Sequence, residues 1–227
     1  MIPLRDVIPS RTTPYITVTI ILINAVAWLY EVAIPRRELE VFLQIFGVVP
    51  ASFVPTTVIT SMFLHGSWSH VIGNMWYLWI FGDNVEDRMG HGRFIVFYLL
   101  CGCVAAVGQI VLDPQSTVPM IGASGAIAGV MGAYFVLYPH SRVLTLVPII
   151  IFFDIIELPA IFLLGFWFLM QLFSAGAIAV TSATGGSGGV AFMAHVAGFL
   201  AGVIGVFAFK KKPQPEYLDV LIGRWSG

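Results

Sequence analysis

Charge is what this sequence most lacks. Asp, Glu, Lys and Arg make up 10% of its 227 residues, against 58% hydrophobic. Soluble domains carry about 25% charged and 45–50% apolar residues, so a water-facing globule is excluded. A formal net charge of -1 leaves no basic excess, and no nucleic-acid partner is expected. Cysteine is nearly absent as well. Cys101 and Cys103 lie two residues apart in an apolar run, with neither a disulfide framework nor metal-ligand spacing around them. They read as small buried hydrophobes. Also missing is a His-Glu-x-x-His helix: the close pair His65 and His70 lacks both the glutamate and the spacing, which argues against zinc chemistry. No metal and no cofactor is expected. The aspartates, at positions 6, 83, 87, 113, 154 and 219, read as loop, tail or interfacial residues, so the spans offer no carboxylate pair for an aspartyl mechanism.

Apolar runs of helix length are what the chain does have. A membrane-spanning helix needs about 20 largely apolar residues, and six stretches qualify, at roughly 15–34, 58–81, 94–112, 121–138, 158–178 and 190–209. The expectation is an all-α polytopic membrane protein with a six-helix bundle. The stretch "PRRELEVFLQIFGVVPASFVP" (35–55) is amphipathic and bounded by proline, which suits an interfacial first loop. Residues 143–157, "VLTLVPIIIFFDIIE", hold an apolar run too short to span, broken by Pro148 and Asp154. They are expected to form a loop. The length fits a single domain over 1–209, followed at 210–227 by a tail that is first basic and then mixed in charge. No cleavable signal peptide is read at the N-terminus, which holds Pro3, Pro9 and Pro14 with Arg5 and Arg11.

With six spans, Arg5, Arg11, Arg88, Arg93, Arg142, Lys210, Lys211, Lys212 and Arg224 share one side, and only Arg36 and Arg37 face the other. The positive-inside rule then puts both termini in the cytoplasm.

Polar side chains inside a bilayer are costly and are suspects for function. Asn24, His65, His70, Asn74, Gln109, Ser124, Gln171 and His195 qualify. Four of them, His70 and Asn74 on the second span, Ser124 on the fourth and His195 on the sixth, fall in the outer half of the membrane. His195 shares a face with Gly198 and Gly202, and Ser124 with Ala128 and Gly132. Small-residue stripes let membrane helices approach closely, which would bring the Ser124 hydroxyl to the His195 imidazole. That is the nucleophile–base pairing of covalent catalysis. His70 and Asn74, at i and i+4, face one direction and can donate N–H groups. The Ser124 amide, in the first turn of its helix, has no intrahelical acceptor and lies at the positive end of the helix dipole. Together they make an oxyanion hole. Each residue alone has a plain structural reading, the serine as a packing contact between helices. Their shared depth and facing favour the catalytic one.

These residues resemble the rhomboid intramembrane serine proteases. The resemblance rests on "GASG" (122–125), "AHVAGFLAG" (194–202) and "HGSWSHVIGN" (65–74), the last followed by "FGDNVEDRMGHGR" (81–93). It implies a rhomboid-like fold, a Ser124–His195 dyad, an oxyanion hole of His70, Asn74 and the Ser124 amide, and a structural role for Glu86. At 1.5 Å per residue Glu86 would sit about 18 Å from Asn74, too far for chemistry. Two features depart from the family pattern. The first loop has Arg36-Arg37 but no tryptophan, and Ala128 stands where relatives often carry a tyrosine beneath the histidine.

The expected activity is therefore that of a serine endopeptidase of the prokaryotic inner membrane, with transmembrane proteins as substrates and membrane lipid around it. The alternative is a catalytically silent rhomboid-like binder of membrane helices. The Gly/Ser-rich stretch 181–194 is expected to cap the site. Trp167 and Phe168, on the bulky fifth span, are expected to gate substrate entrance.

Overall fold

The computed structural model describes residues 1–149, 152–183 and 191–211. Among the described residues, six long helices form the bundle: α1 (Tyr15–Ala33), α4 (Trp68–Met89), α5 (His91–Leu112), α6 (Ser124–Leu137), α7 (Ala160–Ala183) and α8 (Phe192–Phe209). Four of them, α1, α5, α7 over Ala160–Ala177 and α8, are long and apolar enough to cross a membrane. The apolar α6 is shorter, and α4 carries Asp83, Glu86, Asp87 and Arg88 in its last two turns. Large apolar side chains such as Leu22, Leu100, Phe162, Phe173 and Ile204 point outward. So much exposed apolar surface is stable only against lipid. The chain is an integral membrane protein.

Five helices begin within three residues of expectation. The second begins ten residues late, because Thr57–Thr60 (α3) and Ser61–Phe63 form short turns instead. Ser67 then caps α4, its hydroxyl accepting the His70 N–H over 3.2 Å. The first loop contains α2 (Arg36–Phe46), an amphipathic helix with no buried residue.

Residues 143–157 are not a loop. Residues 143–149 and 152–157 fall within strands β2 (Arg142–Ile149) and β3 (Phe152–Pro159), an antiparallel pair to which β1 (Ile2–Asp6) adds in the order β1-β2-β3. The aliphatic and β-branched run favours extended backbone. A lone hairpin is marginal, and the third strand comes from the far N-terminus. The hairpin leaves and returns at one point, where Ala160 N–H reaches the Ser141 carbonyl over 2.8 Å. β1 climbs along the bundle from its basic end. Asp6 accepts the Tyr134 hydroxyl over 2.6 Å near the end of α6, and the Pro3 carbonyl accepts Trp76 Nε1 over 2.7 Å. Met1 reaches a cavity of about 90 Å³ beside Tyr77, Met131 and Trp167.

At the centre, α6 and α8 meet backbone to backbone. A Cβ at Gly198 would overlap the Gly125 carbonyl, one at Gly202 the Gly129 carbonyl, and one at Gly132 the Phe199 carbonyl. The stripe on α6 is thus Gly125, Gly129 and Gly132, one position round from the expected Ala128 face. At the basic end the buried Glu86 carboxylate accepts Ile16 N–H (2.9 Å), Thr17 N–H (2.7 Å) and the Thr17 hydroxyl (2.7 Å), and touches His91 Nδ1 at 2.6 Å. It caps α1 and ties that helix to α4 and α5.

Candidate active site

The loop before α4 is set from below. Glu31, almost fully buried on α1, accepts the His65 N–H at 3.1 and 3.2 Å through its two oxygens. The His65 ring is buried too, and its Nε2 lies 3.0 Å from Asn74 Nδ2. Because the Asn74 nitrogen is a donor, His65 Nε2 is the acceptor. One N–H of the Asn74 amide is thereby fixed, and among the described residues no hydrogen-bond partner takes the other.

His70 stands one turn before Asn74, with its ring 5.0 Å edge-on to that of His65. Its Nε2 faces Gly122. A Cβ at that glycine would stand 2.7 Å from Nε2, and its φ of 121° disfavours any side chain. Gly122 N–H reaches the Ser61 carbonyl over 2.8 Å, and Val48 and Met120 exchange backbone hydrogen bonds of 3.0 and 2.8 Å. These contacts fix the loop that delivers Ser124 to the first position of α6. There its N–H has no partner within the helix.

The glycine contacts bring α8 against this point. His195 Nε2 lies 2.8 Å from Ser124 Oγ, and His195 Nδ1 lies 2.8 Å from Gln171 Oε1 on α7. The Trp167 ring is 5.9 Å from the imidazole and the Phe192 ring 6.3 Å. A cavity of about 640 Å³ opens over the pair, with His70, Asn74, Tyr77, Ser124, Trp167 and His195 in its wall. A hydroxyl bonded to an imidazole, with amide and ring N–H donors converging on one cavity, can carry out acyl transfer. Among the described residues no group of three or more His, Cys, Asp or Glu side chains gathers to hold a metal.

Thus Ser124, His195, His70 and Asn74, picked out by depth and facing, share one cavity. The expected gate pair is divided. Trp167 lines the cavity, whereas Phe168 turns away and stacks on Phe199 at 4.7 Å. Of the expected cap, 184–190 lie outside the described residues. Sequence reasoning left His65 and Gln171 without roles. Both stood among the intramembrane polar residues, and Gln171 follows Trp167 by four on one helix face, but no spacing linked them to Asn74 or His195.

Residues 53–212 match the family model of the Rhomboid domain. Similar proteins include Rhomboid protein 1, mitochondrial, of Saccharomyces cerevisiae, 31% identical over 112 residues, 47% of this chain and 32% of that protein. The putative rhomboid protease YdcA of Bacillus subtilis is 30% identical over 124 residues, 53% of this chain and 61% of its own length. The chloroplastic Rhomboid-like protein 11 of Arabidopsis thaliana is 28% identical over 204 residues, 84% of this chain and 67% of that protein. The chain covers less than two thirds of the first two. The matched stretch holds Ser124, His195, His70 and Asn74 on the helices described above, and the chain belongs to the rhomboid family.

Proposed function

We propose that the chain is an intramembrane serine endopeptidase that cleaves transmembrane segments of other membrane proteins near the outer interface. Ser124 is the nucleophile and His195 the base. The observation that carries this reading is the 2.8 Å contact between Ser124 Oγ and His195 Nε2 in the wall of a cavity large enough for a peptide segment.

As Oγ attacks the scissile carbonyl, its proton passes to Nε2. The carbonyl oxygen gains negative charge and turns toward the Ser124 N–H, the free N–H of Asn74 and the His70 ring. One such donor is worth about 10²–10³ in rate. Collapse of the tetrahedral species breaks the C–N bond, and His195 returns the proton to the leaving amine. Water, deprotonated by the same imidazole, then releases the acyl chain from Ser124. A helical substrate hides its carbonyls in i→i−4 bonds, so the segment must first unwind, and segments weakened by Gly or Pro are the favoured targets. Trp167, on α7 in the wall of the cavity, is the gate residue for such a segment.

The protease domain is 1–209, with 210–227 as a tail. Nine basic residues against two place both termini in the cytoplasm, with the prokaryotic inner membrane as the location. The test is labelling with a fluorophosphonate probe alongside cleavage of a transmembrane reporter. The expected result is one adduct, at Ser124, lost in His195→Ala, and no cleavage by Ser124→Ala. Labelling elsewhere, or cleavage that survives Ser124→Ala, overturns the assignment. A wild-type chain that takes no label and cuts nothing, while still binding membrane helices, returns the silent binder.

A further inference from the structure

An imidazole serves as a base toward serine only while Nε2 keeps its lone pair on the hydroxyl, which requires the ring proton on Nδ1. Many serine hydrolases hold that proton with a carboxylate. Among the described residues, the His195 ring hydrogen-bonds Ser124 and Gln171 alone. Position 128, one turn beyond the serine, is an alanine and holds nothing. The neighbouring rings, Trp167 at 5.9 Å and Phe192 at 6.3 Å, restrict tilt but accept no hydrogen bond in the ring plane.

We propose that Gln171 is the positioning residue for the base, its side-chain carbonyl accepting the Nδ1–H of His195 so that Nε2 faces Ser124. The inference rests on the protease reading above. An amide oxygen cannot donate, so this contact selects one tautomer. Turned over, the amide would donate to Nδ1, drive the proton to Nε2 and leave Ser124 without an acceptor. A carboxyl amide also carries no charge, so orientation is obtained without placing a second ion at membrane depth, where an unpaired charge is costly. Gln171 and Trp167, four residues apart, present one face of α7 to the imidazole. The helix expected to admit substrate is thus also the helix that aligns the base.

Three variants test this in the full chain, with the transmembrane reporter and the fluorophosphonate probe. Gln171→Leu and Gln171→Met remove the acceptor, and Gln171→Glu keeps it. The first two should lower kcat at least tenfold with KM unchanged, and slow Ser124 labelling by the same factor. Gln171→Glu should stay within about threefold of wild type. If Gln171→Leu does not fold, the comparison of Met with Glu carries the result. Wild-type kcat in Gln171→Met, or a loss in Gln171→Glu as deep as in Gln171→Met, overturns the assignment of Gln171. A wild-type chain that is neither labelled nor active overturns the protease reading instead.

Discussion

The imidazole of His65 holds the side-chain amide of Asn74 over 3.0 Å, and His65 is itself anchored through its backbone N–H to Glu31. A buried carboxylate on the first long helix therefore fixes the orientation of an amide at the wall of the cavity, with one N–H spoken for and one presented. In the proposed mechanism, the Asn74 donor is thus preorganised by His65 and Glu31, which lie outside the cavity wall.

His65→Phe keeps an apolar ring in this buried place but lets the Asn74 amide rotate. We expect kcat to fall about tenfold or more with little change in KM, short of the 10²–10³ expected when the donor is removed in Asn74→Ala. The double variant should be no slower than Asn74→Ala alone, because both changes act through one donor. Additive losses in reporter cleavage would show that His65 acts by another route.

Gly198 tests the contact that brings His195 to Ser124. A methyl group there would overlap the Gly125 carbonyl, and backbone cannot yield as a side-chain tip can. Gly198→Ala should force α6 and α8 apart, costing about 1–3 kcal/mol of stability as other overpacked cores do, and abolish most cleavage by parting Ser124 from His195. Gly92→Ala, where nothing lies within 4 Å of the added Cβ, is the control and should leave melting and activity unchanged. Equal melting temperatures and equal rates for the two variants would contradict the packing account.

Glu86 separates stability from chemistry. Its carboxylate accepts three hydrogen bonds from the first turn of α1, and twelve residues of helix set it about 18 Å from Asn74. Glu86→Gln turns one acceptor into a donor facing donors, at a cost of about 1–3 kcal/mol. Thermal unfolding in detergent should show the loss, while kcat measured well below the melting temperature should be unaltered.

How much of this could be read without coordinates follows from what each feature needs. The spans, the meeting of Ser124 with His195, and the Glu86 role implied by the resemblance all depend on helix periodicity and local motifs, and these are written in contiguous residues. The sheet depends on pairing Ile2–Asp6 with residues some 140 positions away, so nothing local announces it. Gln171 was visible as a costly polar residue in a bulky span, yet its partner is fixed by the rotation of α7, which a helix apolar on all sides does not encode. The stripe on α6 was misplaced by one position for a related reason. Gly, Ala and Ser crowd that helix so densely that several faces qualify, and only contact with Gly198 and Gly202 selects one.

The strand that sequence reading missed also brings a pH response. Burial pushes the Asp6 carboxyl from its usual 3.8 up to about 6, with the nearby Asp83 adding repulsion and the Tyr134 hydrogen bond opposing both. A carboxyl raised on folding holds its proton longer in the native chain than in the unfolded one. The native state then binds more protons between pH 3.8 and about 6, so stability falls as pH rises through that window and levels off above it. Asp6→Asn keeps an acceptor for Tyr134 without the charge. The difference in melting temperature, Asp6→Asn minus wild type, should be smallest near pH 4, grow in favour of the variant up to about pH 6 and stay constant beyond. Subtracting the two curves removes the titrating groups that do not interact with Asp6, leaving Asp6 and its coupling to Asp83. A flat difference would mean that the carboxyl is as well solvated in the folded protein as in the open chain, and one growing toward acid that the folded protein favours the carboxylate; either would contradict burial of Asp6 by β1 against α6.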